Sequence, residues 1–471
     1  MNIPYLVTDN KKINEAYRMA VGTFVSNILP FKDGILTEEE PCIIAGLGYD
    51  TPWTRDTAIN VWNCGGLLCP DVALNTLKSV IEKNEKGYFI AGQYWDAIIW
   101  VTGAWNYYLY TGDKEFLKMA YEASVNSLAH LEETEFDPKT GLFRGAACYG
   151  DGVAAYPDIY ASHGFSGITS FPTECPQYCA DKGVGTPMFA LSTNCLYYGA
   201  YVLADKMAEI LGKPKVYAET AQSVKESINK IFWNEEKGTY NYLHDPFGGC
   251  DHQEGMGISF VILYGVADKE KAEKVLKNAY VTPHGMPCVW PTFKRYIIND
   301  EKVDFGRHSG TVWPHIQGFW ADAAARSGRA DLFDEEFMAQ TDNAVNSFQF
   351  AEIYHPMTGE VYGGWQESNK DGIFLSYPQP YQTWSATAYL RNVYMDLVGM
   401  RFDTDGIHFE PVKSDLVSDM KLKSFKYRNT VLNISVRNAQ GSGSFKLNGV
   451  ETEPFIPNDI IGTNNIEIQI G

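Results

Sequence analysis

The residues best suited to chemistry lie on one segment near residue 350. Glu352 is followed closely by Tyr354 and His355, and then by a Pro356–Gly359 turn. A carboxylate can take a proton from water, and Tyr and His side chains can hydrogen-bond to hydroxyl groups. The further binding candidates on this segment are Trp365, Gln366 and Glu367. A base beside hydrogen-bonding groups and an aromatic face indicates a site that processes sugars, whereas the turn by itself also fits a surface loop.

A second candidate group precedes a predicted helix near residue 56. Trp53, Arg55 and Asp56 form a W-x-R-D segment. An adjacent guanidinium and carboxylate can donate to and accept from two neighbouring hydroxyls of one sugar. The alternative is that Asp56 caps the helix and Arg55 forms a surface ion pair.

A third candidate group, residues 92–96, opens the next predicted helix. Gln93 and Asp96 are candidates for binding hydroxyl groups, and Trp95 is a candidate stacking platform. The alternative for Trp95 is packing between helices.

The E-x-Y-x-P-x-T-G motif that begins at Glu352, followed by W-S-A at Trp384, resembles the end of the catalytic domain in a clan of inverting glycosidases. This clan includes processing α-glucosidase, mannosylglycerate hydrolase and trehalase. The W-x-R-D segment resembles the motif that holds the terminal sugar in several of these six-hairpin enzymes. The segment that starts at Arg307 resembles the one ahead of the base loop, and it implies that His308 and Trp313 line the pocket. Trp384 is a further substrate-binding candidate, and no cofactor is implied.

The resemblance implies that Glu352 is the general base. Glu360 and Glu367 remain alternatives because they lie on the same predicted loop. An inverting base activates water on one face of the sugar while an acid protonates the leaving group on the other, so we expect the two carboxyl groups to lie roughly 6.5–9.5 Å apart.

The general acid is implied on the loop after the second predicted helical hairpin. Asp151, in a Y-G-D-G segment, is the candidate, and Asp158 is the alternative. The Trp and Asn that usually flank this Asp in the clan are absent. We expect enclosure by Tyr149 and its neighbours to raise the pKa of the acid by desolvation.

Helical periodicity recurs along most of the chain. Helices are predicted at about residues 12–28, 56–67, 71–83, 94–110, 113–132, 186–211, 216–232, 257–264, 269–280, 308–327, 332–346 and 382–398. They form pairs with alternately short and long connections. The resemblance implies a mainly α fold, an (α/α)6 toroid, whereas periodicity alone equally permits an open solenoid.

The pattern changes near residue 400. Short alternating segments separated by Gly and Asn predict a small β-sandwich-like domain over residues 401–471, after a catalytic domain over residues 1–400. Asn448-Gly449 predicts a type I′ hairpin turn.

Composition limits the partners. The formal net charge is −19, which repels nucleic acid and anionic membranes, and aromatic residues make up 14% of the chain. The start of the chain lacks the pattern of a signal peptide and no long apolar run follows, so we expect a cytoplasmic protein without a membrane span. The nine cysteines show no disulfide framework, which predicts reduced thiols. Cys175 and Cys179 have a C-x3-C spacing but no second matching pair, so we expect no metal site there.

Together these features predict an enzyme that acts on an oligosaccharide or glycoside. The resemblance implies an inverting, exo-acting hydrolase that removes an α-linked terminal sugar, with glucose favoured. The alternatives are a phosphorylase of related fold, which needs a cationic pocket for phosphate, and a carbohydrate-binding toroid without catalysis. The oligomeric state is not indicated by the sequence.

Overall fold

The fold is taken from a computed structural model of the chain. The structure describes residues 3–161, 164–299, 302–368, 372–439 and 441–471.

Within these residues, twelve helices build the larger part of the molecule. They are α1 Lys11–Ser26, α2 Thr54–Asn60, α3 Pro70–Lys78, α4 Trp100–Thr111, α5 Lys114–Thr134, α6 Leu191–Ile210, α7 Ala218–Ile231, α8 Gly255–Leu263, α9 Lys269–Asn278, α10 Pro314–Arg326, α11 Ala330–Ser347 and α12 Thr383–Arg391. Both α2 and α12 continue through a π-helical turn, Val61–Gly65 and Asn392–Leu397 respectively. Shorter helical turns lie at Gly66–Leu68, Ala97–Ile99, Val153–Ala155, Asp158–Ala161, Ile168–Ser170, Phe171–Glu174, Pro176–Tyr178 and Lys294–Tyr296.

The helices form two concentric rings. The inner ring contains α2, α4, α6, α8, α10 and α12, each in contact with the next, and α12 contacts α2 and so closes the ring. The outer helices pack against the inner ones, and α1 completes the last pair by packing on α12. The predicted (α/α)6 toroid is therefore confirmed.

Burial explains which helices are inner. In α10 nearly the whole helix is buried, including polar His315, Gln317 and Asp322. In the outer helix α9, only Val275 and Leu276 are buried, and the remaining face carries charged residues. A helix that is apolar all round needs neighbours on every side, whereas an amphipathic helix needs them on one side.

The connections differ in length at the two ends of the toroid. Inner helices lead to outer helices by short turns, as at Gly112, whose φ of +75° ends α4, and Asp113, which caps α5 by accepting from the Phe116 N–H. Outer helices return to inner helices by long connections, over residues 27–53, 79–99, 135–190, 232–254, 279–313 and 348–382. Because paired helices are antiparallel, these long connections gather at the end where the inner helices begin.

The chain after α12 forms β structure, together with one strand from the N-terminus. The six-stranded sheet has the order Tyr5–Thr8, Asp419–Tyr427, Thr430–Asn438, Gly462–Ile470, Ser444–Leu447 and Val450–Glu451. A three-stranded sheet contains Met400–Phe402, Gly406–Phe409 and Phe455–Pro457. Asn448 and Gly449 both have positive φ, as a type I′ turn requires.

The N-terminal strand changes the predicted division of the chain. Tyr5–Thr8 pairs antiparallel with Asp419–Tyr427, so residues predicted within the helical part belong to the sheet. The Tyr17 hydroxyl donates to the Pro4 carbonyl at 2.8 Å and contacts the Tyr394 hydroxyl, which ties the strand to α1 and to the end of α12.

The long connections contain short hairpins. The longer ones are Ile28–Phe31 with Glu40–Ile43, Ile81–Asn84 with Gly87–Ile90, Ile297–Asn299 with Lys302–Val303, and Trp365–Ser368 with Gly372–Leu375. Two-residue pairs join Phe136–Asp137 to Leu142–Phe143, Phe189–Ala190 to Leu243–His244, Trp233–Asn234 to Thr239–Tyr240, and Gln253–Glu254 to Val289–Trp290. The pairs Phe189–Ala190 with Leu243–His244 and Gln253–Glu254 with Val289–Trp290 join different long connections, whereas the others are hairpins within one connection.

Two further features concern the whole chain. Each of the nine cysteines is a free thiol, in agreement with the predicted reduced state. Across the residues described above, no helix is both long enough and apolar enough to cross a bilayer.

Candidate active site

A cavity of about 460 Å³ opens where the long connections meet. Its walls come from five of these connections and from the first turns of α2 and α12. The predicted site residues that line it are Trp53, Arg55, Asp56, Gln93, Asp96, Asp151, Trp313, Glu352, Gln366 and Trp384. Residues as far apart in sequence as Trp53 and Trp384 therefore meet in one pocket.

Glu352 lies in the wall with its carboxylate held by three donors. The Tyr49 hydroxyl donates to Oε1 at 2.9 Å, while Arg307 Nη2 and the Gln379 backbone N–H donate to Oε2 at 2.8 and 3.0 Å. The residue is 2% exposed. A carboxylate oxygen can accept two hydrogen bonds, so Oε1 keeps the capacity to accept a bond from water.

The loop around Glu352 is fixed by the other residues of its motif. The Tyr354 hydroxyl donates to the Gln349 carbonyl at 2.7 Å and accepts from the Ala351 N–H at 3.0 Å. His355 Nδ1 accepts from two backbone N–H groups of the following turn. Tyr354 and His355, predicted to bind substrate, do not line the cavity. Their contacts instead hold the backbone on either side of the glutamate.

Arg55 and two aspartates form a second group of ionisable residues in the cavity lining. Arg55 Nη1 donates to Asp96 Oδ2 at 2.9 Å and to the Cys148 carbonyl at 2.8 Å. Burial raises the pKa of Asp96 to about 7, although the charge of Arg55 opposes the shift.

Asp56 lies beside this pair at the start of α2. Burial raises its pKa to about 7, with repulsion by Glu352 acting in the same direction and attraction by Arg55 against it. Its Oδ1 atom is buried without a hydrogen-bond partner among the described residues. Asp56 is thus a cavity-lining carboxyl with spare hydrogen-bonding capacity.

Asp151 lies on a loop pinned to the segment at residues 166–168. Its carbonyl accepts from the Ile168 N–H, and the Val153 N–H donates to the Ser166 carbonyl, both at 2.8 Å. The preceding Gly150 has no room for a side chain, because a Cβ would lie 2.5 Å from the Tyr156 hydroxyl. The loop therefore has a defined shape, and it directs a side chain that is 52% exposed into the open cavity.

The expected rise in the pKa of Asp151 is wrong for the unliganded protein. Burial acts to raise this pKa, but the charge of Arg55 outweighs it, together with smaller contributions from His308 and Arg307, and lowers the pKa below its usual value. Burial lowers the pKa of His308 itself to about 3, so at neutral pH only the two guanidinium groups remain charged. Arg55 and Arg307 lie on segments that are distant from Asp151 in the sequence, so the sequence did not predict their proximity to it.

Two Trp rings line the cavity, and each stacks on a buried His ring. His308 stacks on Trp313 with ring centroids 4.8 Å apart, and His315 stacks on Trp384 at 4.0 Å. The guanidinium of Arg55 lies 5.4 Å from the Trp384 ring centroid. His308 is 1% exposed and lies behind the lining residues, so its contact with the cavity is indirect.

The helix predicted at about residues 308–327 begins at Pro314, as α10. His308 therefore lies before the helix, and it does not share a helical face with His315. Among the described residues, no group of three or more His, Cys, Asp and Glu side chains could hold a metal ion.

Trp95 and Trp365 also lie outside the cavity lining. Trp95 is 2% exposed and packs edge-on against Tyr94 with centroids 5.1 Å apart. Trp365 is half-buried. Its backbone N–H donates to the Phe305 carbonyl, and its carbonyl accepts from the Arg307 N–H. Both residues position neighbouring segments that do line the cavity.

Two of the three alternative catalytic carboxylates are joined to one cation, Arg295. Its Nη1 donates to Asp158 Oδ1 and its Nε donates to Glu367 Oε1, both at 2.7 Å. The Tyr296 hydroxyl also donates to Glu367. Neither carboxylate is among the cavity-lining residues, and Glu360, the third alternative, is exposed outside it.

Several lining residues were not predicted. Tyr49, Arg307 and Gln382 all line the cavity, and two of them bind Glu352 directly. Arg307 is the first residue of a motif segment, and Tyr49 precedes Trp53 by four residues. Their proximity to these motifs in the sequence is the feature that could have identified them as site residues. Their contacts with the glutamate depend on loops that meet only in the folded chain.

Comparison with solved structures supports the fold at low sequence identity. A sialidase structure has a TM-score of 0.63 with 14% identity, covering 91% of this chain and 38% of that chain. A GH78 family rhamnosidase of a Bacillus species has a TM-score of 0.59 with 15% identity, covering 100% of this chain and 44% of that chain. The chain thus spans less than half the length of these two structures.

A GH63 mannosylglycerate hydrolase from Thermus thermophilus, in complex with glucose, has a TM-score of 0.59 with 14% identity. The alignment covers 80% of this chain and 99% of that chain. No curated protein sequence matches the chain.

The closed double ring and these comparisons define the fold class, the (α/α)6 toroid of six-hairpin glycosidases. Within this class the chain belongs to the family of mannosylglycerate hydrolase MGH1-like glycoside hydrolase domains, whose family model matches residues 98–385.

Proposed function

We propose that the protein is an inverting, exo-acting glycoside hydrolase that removes an α-linked terminal sugar, with Glu352 as general base and Asp151 as general acid. The observation that carries this proposal is the position of the two carboxylates on separate loops around one cavity. The alternatives Asp158 and Glu367 are engaged by Arg295 instead. The cavity volume of about 460 Å³ lies toward the small end of ligand sites, which favours a terminal sugar over the interior of a polymer.

In the proposed reaction, Glu352 takes a proton from a water molecule as that water attacks the anomeric carbon. The glycosidic C–O bond breaks, and Asp151 gives its proton to the leaving oxygen. Arg307 and Tyr49 hold the Glu352 carboxylate in place through this step. Arg55, Asp56, Asp96 and Gln93 supply donors and acceptors for the sugar hydroxyls.

The acid must hold a proton when the substrate is bound. In the unliganded protein, Arg55 and Arg307 lower the pKa of Asp151. A bound sugar would cover the exposed part of this side chain and remove water from it, which acts to raise the pKa. We therefore propose that the substrate itself brings Asp151 to its protonated form.

The charge of the cavity favours hydrolysis and a neutral substrate. The cationic residues among those that line it, Arg55 and Arg307, are paired with Asp96 and Glu352 respectively. A phosphorylase needs a cation that is free to bind phosphate, and an anionic leaving group such as glycerate needs the same. Water as the attacking group and an uncharged sugar fit this pairing better. Glucose is the favoured sugar, in keeping with the glucose complex of the Thermus enzyme.

The test is a panel of nitrophenyl α-glycosides of glucose, mannose, galactose and rhamnose, with and without phosphate. We expect release of the free sugar from the α-glucoside at a rate that does not depend on phosphate. Proton NMR in the first minutes should show the β-anomer as the initial product. Formation of a sugar phosphate would establish phosphorolysis instead, an initial α-anomer would exclude inversion, and binding without release would indicate a non-catalytic protein.

A further inference from the structure

A two-stranded hairpin contributes one residue to the lining of the cavity. It pairs Trp365–Ser368 with Gly372–Leu375 in antiparallel register, and Gln366 stands directly opposite Phe374. Gln366 is one of the residues that line the cavity. Directly opposed residues in an antiparallel pair project to the same face, with Cβ atoms roughly 5 Å apart.

The two faces of this hairpin have different surroundings. Successive residues in a strand point to opposite faces. Glu367, next to Gln366, turns away from the cavity and binds Arg295 and Tyr296, and its opposed residue is Ile373. Phe374 therefore lies on the cavity face of the strand, whereas Ile373 lies on the other face.

Phe374 is also exposed to solvent at this position. Its side chain is 39% exposed, and Trp53, which lines the cavity from a different loop, is 53% exposed. An aromatic ring left open to water beside a polar cavity retains a free apolar face. Sugar rings and aryl groups have apolar faces that pack on such a ring.

We propose that Phe374 forms the binding platform for the leaving group of the substrate, adjacent to the cavity that takes the terminal sugar. This inference rests on the proposed hydrolase function. It assigns the leaving group to a class: a neutral group that contains a ring, either a second sugar or an aryl group.

The test compares two substrates that carry the same terminal sugar. One is the α-glycosyl fluoride of the best sugar in the panel, whose leaving group has no ring, and the other is the matching nitrophenyl α-glycoside. Phe374→Ala should leave kcat/KM for the fluoride within about twofold of the wild-type value. It should lower kcat/KM for the nitrophenyl glycoside about tenfold, because one aromatic contact is lost.

The matched control is Ile373→Ala, which truncates a similarly exposed side chain, 44%, on the opposite face of the same strand. This variant should match the wild type on both substrates, and Phe374→Tyr should keep most of the activity on the nitrophenyl glycoside. An equal loss on both substrates for Phe374→Ala, or no loss on either, would overturn the inference.

Binding measured by calorimetry tests the Phe374 platform independently of the proposed hydrolysis. If the wild type hydrolyses neither substrate, hydrolysis is excluded, and the platform is tested by binding. Phe374→Ala should then weaken binding of the nitrophenyl glycoside about tenfold and leave binding of the free monosaccharide unchanged. Equal binding of the glycoside by variant and wild type would exclude the platform.

Discussion

Glu352 and Asp151 differ in what surrounds their carboxylates. Glu352 is almost fully buried and accepts hydrogen bonds from Tyr49, Arg307 and a backbone N–H. Asp151 is half exposed and lies in the field of two guanidinium groups. A firmly held acceptor suits a base that must orient water. A carboxyl open to the cavity suits an acid that must reach a substrate oxygen.

Substitution of the two residues should therefore give different losses. Glu352→Gln removes the base, so kcat/KM should fall at least about a hundredfold on every substrate. Asp151→Asn removes the proton donor, so the loss should be severe for a sugar leaving group and much smaller for a fluoride, which departs without protonation. Initial rates on an α-linked disaccharide of the preferred sugar and on the α-glycosyl fluoride of the same sugar measure this difference.

Asp158→Asn is the control for the acid, and Glu367→Gln is the control for the base. Both residues bind Arg295, so each substitution should loosen the contact between their two loops and change the ratio of activities on the two substrates by no more than about tenfold. A leaving-group effect in Asp158→Asn as large as the one expected for Asp151→Asn would transfer the role of acid to that residue. Loss of turnover in Glu367→Gln but not in Glu352→Gln would transfer the role of base.

The pH dependence should differ between the free and the substrate-bound enzyme. The pKa of Asp151 is lowered in the unliganded protein, so its protonated form is lost at lower pH than for an ordinary Asp. For a disaccharide, kcat/KM reports the free enzyme and should decline early as pH rises. The decline in kcat should occur at higher pH, because the bound sugar desolvates the carboxyl. Coincident profiles for kcat and kcat/KM would contradict this effect of the substrate.

At the scale of elements, Arg295 connects two loops of the site. Besides Asp158 and Glu367, it binds the Val153 carbonyl through Nη2 at 2.9 Å. Val153 and Asp158 belong to the loop that carries Asp151, and Glu367 belongs to the loop that carries Glu352. The guanidinium thus fixes the acid loop relative to the base loop, and Arg295 is a positioning residue.

Arg295→Gln should free the acid loop, lowering kcat about tenfold for the disaccharide while the fluoride rate stays within about twofold. It also leaves Glu367 buried without a cation, which should lower the free energy of unfolding by about 3–5 kcal/mol. The double variant Arg295→Gln, Glu367→Gln should recover stability without recovering the disaccharide rate. Lys294→Gln, which removes an exposed charge one residue away, is the control for kinetics and denaturation. Equal rate losses on both substrates would show a general distortion and not a role in placing the acid.

At the scale of the whole molecule, the N-terminal strand links the start of the chain to the C-terminal sheet. Leu6 is 3% exposed and stands opposite Leu422, which is fully buried. Val7, its neighbour, is 40% exposed because it points to the other face. The strand therefore buries one apolar face against a sheet formed more than 400 residues later.

Leu6→Ala should lower the free energy of unfolding by about 2–5 kcal/mol, since it leaves a cavity in a packed core. Val7→Ala should change it by no more than about 0.5 kcal/mol. Chemical denaturation measures both, and the kcat of each variant at room temperature should equal that of the wild type, because the strand does not line the cavity. Equal stability of the two variants would show that the strand adds little to the fold.

Local patterns in the sequence determined the helices of this protein and part of its cavity lining. Period-3.6 burial patterns are set by residues within a few turns, so the helices were predictable, although α10 begins at Pro314 and not at His308. The motifs around Trp53 and Glu352 likewise identified five of the residues that line the cavity, namely Trp53, Arg55, Asp56, Glu352 and Gln366.

Only the tertiary structure decided the remaining features, because they depend on contacts between distant segments. The partners of Glu352, the pKa of Asp151 and the engagement of Glu367 by Arg295 each arise where separate loops meet. Tyr354 and His355 have side chains that bind hydroxyls in many sites, and only their backbone contacts show that they support the loop. The strand Tyr5–Thr8 is four residues long, too short for alternation to identify, and it exists because the C-terminal sheet offers it an edge.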